Sequence, residues 1–331
     1  MSNLPLCAAL TPSPMTRPLL DGSVSVEGID LTSTAIHASE MFWRQLRFEE
    51  FDVSELSLSS LLIALARGDR RWTAIPVFTT RRFFHTGIFV NVNAGVTEPA
   101  DLKGKRVGVP EYQQTAALWS RAALQHEFGV TPRDMVWYME RPVERSHGGA
   151  TGFEPPPGVE LHYIPADTNI GELLVAGELD ATLHYLGTPN LVDRSTIDLA
   201  ASQAVRPLFP DRLAEGTRYY KKTGVLPVNH TVVVRTSVLE QHPWVALNLY
   251  GAFVRAKEQI RRQLSELLRP YETIGAVGSG QVGPLGVDPL PYGVTGQREV
   301  LELLAEYSHE QGLTPRRIDL SEVFFPATLD L

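Results

Sequence analysis

Short apolar runs alternate with amphipathic stretches along this chain from its first residues. Residues 4–10 (LPLCAAL), 51–56, 72–78 (WTAIPVF) and 86–93 (TGIFVNVN) are dense in core-type side chains, which predicts strands. Another strand is expected at 25–34 after a turn at Gly22, preceded by a loop carrying Pro12, Pro14 and Pro18. Residues 38–46 and 57–68 repeat apolar positions at helical spacing. The second of these helices would be capped by Ser57 or Ser59 and stopped by Gly68. Strands alternating with helices predict a mostly parallel α/β fold.

The same logic then repeats. Residues 94–104 read as a crossing into a second lobe, followed by a strand at 106–109 and a helix at 115–128. A strand near 135–139, a Gly/Pro-rich loop at 147–158, a strand at 160–164, a helix at 170–176 and a buried strand within 176–186 complete it. Residues 224–235 (GVLPVNHTVVVR) read as the return crossing, with a long helix at 243–268 and a last helix after DPLPYG. This pattern predicts an α/β bilobal clamshell with two mixed or parallel sheets and its ligand in the cleft. Lobe I would comprise residues 1–95 and 230–331, and lobe II residues 96–229. Within 101–130 a strand leads through a loop into a helix, a junction whose free N–H groups attract anions.

Charge and composition narrow the partners. A formal net charge of -8 over 331 residues argues against nucleic acid but leaves room for a small anion in a locally positive pocket. Cys7 is the only cysteine, so neither an intrachain disulfide nor a cysteine metal site is expected. No apolar run is long enough to span a bilayer, and the N-terminus lacks the pattern of a signal peptide, so a cytoplasmic protein is expected. HExxH, Walker and GxSxG patterns are missing. No metal and no cofactor are expected, although scattered His, Asp and Glu could still hold a divalent ion. A homo-oligomer is compatible with this composition.

A set of segments in order carries a resemblance: SELSLSS (54–60), IPVFTTRRFFH (75–85), DLKGKRVGVPEYQQTAALWSRAALQHEFGV (101–130), AGELDA (176–181), PLFPD (207–211), YYKKTGVLPVNH (219–230), HPWVA (242–246) and DPLPYGVTGQRE (288–299). Through them the chain resembles the 4,5-dihydroxyphthalate decarboxylase family, which uses a type II periplasmic-binding-protein-like fold as an enzyme. It departs at Val228 and Asn229, where bulkier apolar residues are usual, in the 147–158 insert, and at His184. These departures bear on the substrate more than on the fold. The resemblance implies a carboxy-lyase acting on a small aromatic carboxylate such as 4,5-dihydroxyphthalate and yielding a dihydroxybenzoate such as protocatechuate. A non-catalytic solute-binding protein for a small organic anion is the rival, since one fold hosts both.

Decarboxylating a hydroxylated aromatic acid requires a proton donor above the ring carbon, a partner for the hydroxyl, and cationic or N–H groups for the spectator carboxylate. His85, next to Arg81 and Arg82, and His230, in the return crossing, are the first acid–base candidates, with His184 third. Each could instead be a satisfied structural histidine. Arg81 and Arg82 are adjacent, so on an extended segment only one should face a ligand carboxylate. Tyr112, Gln113 and Thr115 stand at the start of the 115–128 helix, and Ser57 and Ser59 at the equivalent place in the first lobe, as ligand contacts or simple caps. Asn229 precedes His230, and Asp288 and Tyr292 lie in a Pro-rich turn that could reach the cleft or only hold itself. Glu111 could accept a phenolic proton, but reads first as an exposed loop carboxylate.

Overall fold

The structure is a computed structural model that describes residues 2–278, 288 and 290–331. Pro289 and residues 279–287, which include most of the Gly-rich stretch, lie outside the described residues. Two sheets form the framework. The first has strand order β2-β1-β3-β11-β4, with β1 Leu4–Leu10, β2 Ile29–Ala35, β3 Val53–Ser57, β4 Trp72–Arg81 and β11 Val228–Arg235. The second has order β10-β5-β9-β6-β7-β8, with β5 Phe89–Asn91, β6 Arg106–Val109, β7 Val136–Met139, β8 Glu160–Tyr163, β9 Ala181–Thr182 and β10 Val205–Pro207.

The lobe boundary differs from the expected one. β5 pairs antiparallel with β9 and β10, so the chain has already reached the second sheet by Phe89, not after residue 95. The passage runs through a short 3-10 turn at Phe84–Gly87. A strand buried on both faces reads alike in either sheet, so periodicity could not say which sheet owns it. The return falls at β11, which begins at Val228 and enters between β3 and β4, antiparallel to both.

That insertion explains the all-apolar VVV of residues 232–234. A central strand has neighbours on both edges and layers on both faces, and all three valines have 0% exposure. Burying each contributes about 1.5–3 kcal/mol. Among the described helices, α1 Arg17–Leu20 is a single turn where a loop was expected, α2 is Ala38–Phe48, and α3 is Leu58–Ala66. In the second lobe, α4 spans Thr115–Phe128 and is stopped by Gly129 at φ 67°. The expected loop at 147–158 opens with a helical turn, α5 His147–Ala150, capped by the Ser146 hydroxyl at 2.7 Å from Gly149 N. A Cβ at Gly148 would collide with the Gln113 side chain, and one at Gly149 with the Val143 carbonyl, so these glycines let the turn lie against the lobe.

Candidate active site

The first turns of α3 and α4, one from each lobe, meet head to head at the cleft. Thr115 Oγ1 accepts a 2.9 Å hydrogen bond from Ser59 N and lies 2.8 Å from Ser57 Oγ, while Thr115 N donates to Ser57 Oγ at 3.4 Å. Each hydroxyl caps the helix of the opposite lobe. The sequence suggests caps here, but only the fold shows that they work across the cleft. Two positive helix ends are thereby held together. Further contacts cross the same gap: Ser60 Oγ to His147 Nδ1 at 2.7 Å, Arg141 Nη2 to Ser39 Oγ at 2.6 Å, and Asn190 Nδ2 to His37 Nδ1 at 3.0 Å.

A cavity of about 180 Å³ opens on this junction. That is below the range of about 300–1,000 Å³ for drug-sized sites and suits a single substituted ring. His37, His147, His184 and His230 line it with Arg82 and Arg141, and Phe42, Ser57, Gln114, Thr115 and Asn229 add apolar and hydrogen-bonding surface. Among the described residues no carboxylate lines it. Glu55, Glu111 and Asp193 stand behind the wall, each at most 1% exposed.

These buried acids orient the bases. Glu55 lies 3.3 Å from His230 Nδ1 and also accepts from Thr11 N at 2.7 Å and from Thr79 Oγ1. A carboxylate only accepts, so His230 Nδ1 carries a proton, and Nε2, 2.8 Å from Asn229 Nδ2, is the nitrogen turned to the cavity side. Adjacent strand residues normally face opposite ways. The pairing of β11 with β4 slips on both sides of His230, and this bulge allows Asn229 and His230 to line one cavity. Phe42 meets the His230 ring edge-on at 4.7 Å.

Glu111 accepts from His147 N at 3.0 Å, Gly148 N at 3.1 Å and Arg141 Nη1 at 3.1 Å, so it is a buried anchor and not the exposed loop carboxylate expected. Burial alone would lower the Arg141 pKa, but Asp193 and Glu111 more than offset it and the guanidinium is held above its ordinary value. The other bases move the opposite way. Burial pushes His147 down to about 4 despite Glu111 beside it. Desolvation, then Arg82, hold His184 well below the usual imidazole range, and desolvation also lowers His37. Arg82 Nη2 lies 3.1 Å from His184 Nδ1 and can only donate, which leaves the proton of the neutral ring on Nε2. His184 sits at φ 54°, a left-handed conformation uncommon outside glycine.

The fold thus brings His230, His184, Arg82, Ser57, Thr115 and Asn229 together. It does not bring the other candidates to this cavity. His85 is 2% exposed, 3.0 Å from Glu215 through Nε2 and packed against Phe209 and Tyr219. Arg81 turns away to Gln297 Oε1 at 2.6 Å and the Pro291 carbonyl, and desolvation lowers it to about 10. Ser59 contributes its backbone N–H to Thr115, while Gln113 donates to Glu111. Tyr112 is buried with the Arg121 guanidinium 3.9 Å from its ring centre. Asp288 pairs with Lys257 at 2.6 Å, and the same ammonium lies 3.5 Å above the Tyr292 ring, so that turn holds itself. The sequence reading passed over His37, Gln114, Arg141 and His147. His147 carried one signal, the two glycines after it. Gln114 Nε2 is buried without a hydrogen-bond partner and is available to a ligand.

Among the described residues no group of three or more His, Cys, Asp and Glu side chains is placed to hold a metal ion. No helix among them is long and apolar enough to cross a membrane.

No known family profile matches the chain. It is 33% identical to 4,5-dihydroxyphthalate decarboxylase of Comamonas testosteroni in an alignment of 333 residues, covering 100% of this chain and 99% of that one. The 4,5-dihydroxyphthalate decarboxylase of Pseudomonas putida is 36% identical over 183 residues, 55% of this chain and 71% of that one. Among solved structures, the alkanesulfonate-binding protein SsuA from Xanthomonas axonopodis pv. citri bound to MOPS superposes with TM-score 0.54 at 14% identity, covering 98% of this chain and 99% of that one. The desulfurization enzyme DSZB does so with TM-score 0.53 at 16% identity, covering 99% and 98%. At these identities the structures show only the fold, a two-lobed periplasmic-binding-protein-like architecture. The full-length identity to the Comamonas enzyme shows more: this chain belongs to the 4,5-dihydroxyphthalate decarboxylase family.

Proposed function

We propose that the chain is a carboxy-lyase that removes CO2 from a hydroxylated aromatic carboxylate, 4,5-dihydroxyphthalate or a close analogue, and releases a dihydroxybenzoate. The observation that carries this reading is the cavity wall: four imidazoles and two guanidiniums, with the acids withdrawn behind it. Such a wall attracts an anionic ring and can also move a proton, which a pure binder has no need to do.

In this reading Arg82 and the first turn of α4 hold the spectator carboxylate, and Phe42 lies against the ring. His230, once it has taken a second proton from solvent on Nε2 and the Asn229 amide has turned aside, gives that proton to the carbon bearing the departing carboxylate, while Glu55 holds Nδ1–H. The C–CO2 bond then breaks, its electron pair restores the aromatic ring, CO2 leaves, and His230 takes a proton from solvent. While the ring is dearomatised, charge flows through the hydroxyl oxygen. That oxygen gives up electrons and releases its proton to solvent, regaining it when the ring is restored, while the neutral His184 donates its Nε2–H to a carboxylate oxygen, aided by Gln114. His37 and His184, held neutral, serve as donors to oxygen, and His230, backed by Glu55, as the donor to carbon. A cytoplasmic site of action belongs to the same reading.

Purified protein incubated with 4,5-dihydroxyphthalate, with and without chelator, tests it through CO2 release and the change in ring absorbance. Stoichiometric CO2 and dihydroxybenzoate are expected. Tight binding without turnover would instead make this a solute-binding protein, and chelator-sensitive turnover restored by a divalent ion would replace the direct proton transfer.

A further inference from the structure

A second cavity, of about 460 Å³, lies behind Arg82 and His184, and these two residues line both cavities. Arg81 and Arg212 add two more guanidiniums to it, with Phe84 and Phe89 as apolar surface, and no carboxylate among the described residues lines it. The cations rest on rings: Arg82 lies 5.2 Å from the Phe84 centroid and Arg212 4.8 Å from that of Phe89. Stacking uses the face of a guanidinium and leaves its N–H edge for a carboxylate.

The nearest acids on the helix Arg212–Thr223 are engaged elsewhere. Asp211 caps that helix by accepting from Ala214 N at 2.8 Å, and Glu215 is taken by His85 and Arg218. Arg212 is close enough to disfavour the charge on Arg82. In a chain of net charge -8, Arg82 and Arg212 have no carboxylate ion-pair partner among the described residues, so this is a positive chamber beside the histidine cavity. Convergent cations in a concave wall concentrate anions and raise their on-rate.

We propose that this chamber is a waiting site for the aromatic carboxylate, in which Arg212 and Arg82 hold the anion before it passes His184 into the histidine cavity. The proposal rests on the functional reading above. Because Arg82 faces both spaces, one guanidinium keeps hold of a carboxylate during the transfer, and aromatic surface accompanies the cations in both.

Phthalate, which lacks the ring hydroxyls that decarboxylation needs, is the probe, so binding is read without turnover. Stopped-flow tryptophan fluorescence of the full chain should show a phthalate on-rate that falls as salt is raised. Arg212→Glu should slow that on-rate about tenfold or more and flatten its salt dependence, with Arg212→Ala between the two. kcat/KM for 4,5-dihydroxyphthalate should fall by the same factor. Unchanged on-rate and salt dependence in Arg212→Glu, with its thermal melt intact, would overturn the waiting site while leaving the decarboxylase reading in place. Arg212-dependent phthalate capture without turnover of the dihydroxylated acid would do the reverse, supporting the chamber and sinking the decarboxylase reading.

Discussion

Of the three buried histidines that touch a glutamate, His230 and His85 make the sharpest contrast, because their surroundings give them different work. His230 meets Glu55 through Nδ1, has an aromatic edge at Phe42, and keeps its other nitrogen at a cavity wall. His85 spends Nε2 on Glu215, and its ring is packed by Phe209 and Tyr219. Burial lowers the His85 pKa although Glu215 opposes it. Glu215 in turn is fixed by Arg218, so this cluster ties the lobe-crossing turn to the helix Arg212–Thr223. The difference shows that a histidine–carboxylate pair becomes a candidate catalyst through the cavity its ring lines. The pair alone is as easily a strut.

Substitution breaks this comparison most directly. His230→Ala should lower kcat by 10²–10⁴-fold, the span of a lost general acid, while phthalate affinity measured by calorimetry stays within a few-fold. His85→Ala should instead lower folded stability by about 2 kcal/mol in urea unfolding and keep kcat within about threefold. Equal losses of kcat in both variants would erase the distinction.

A smaller effect is expected at the arginines. Arg82→Lys should weaken phthalate binding by about 10–100-fold, because an ammonium cannot reproduce a forked pair of charge-assisted bonds, with little change in the melting temperature. Arg81→Lys should leave affinity nearly unchanged, since that guanidinium is occupied by Gln297 and Pro291. Calorimetry on the two variants decides which arginine serves the ligand.

The mildest test sharpens what a fully buried imidazole does. His147 sits at about 4 when folded, against ~6.5 in an unfolded chain. As pH falls the unfolded chain takes up this proton first, so the contribution to stability is whole above pH ~6.5. It declines as pH drops toward about 4, by up to about 1.4 kcal/mol per pH unit. His147→Gln should remove that part of the slope, measured as unfolding free energies at pH 7 and 5. An unchanged slope would mean that His147 is not held neutral.

Much of the chain's architecture was legible because local signals agreed. Gly129, the apolar face of residues 115–128 and the preceding strand marked α4 within a residue of its ends. His230 and Arg82 were legible as chemistry-bearing residues near a crossing. His85 was equally so, because sequence records proximity along the chain and not which way a ring turns. Arg141 and His147 were hidden by their partners: Asp193 is 52 residues from Arg141, and Ser60 is 87 from His147.

By itself the sequence determined the alternation of strands and helices, the two-lobed class, the anion-attracting helix starts and the family. Those follow from short-range periodicity, capping chemistry and motifs, which act over a few residues. Only the tertiary structure decided where the chain changes sheets, that Ser57 and Thr115 cap each other's helices, that a bulge turns Asn229 and His230 into one cavity, and that the acids stand behind the bases. Those depend on which distant segments share the closed cleft. Burial then fixes the protonation of each histidine, since the cost of a charge is set by its neighbours in space.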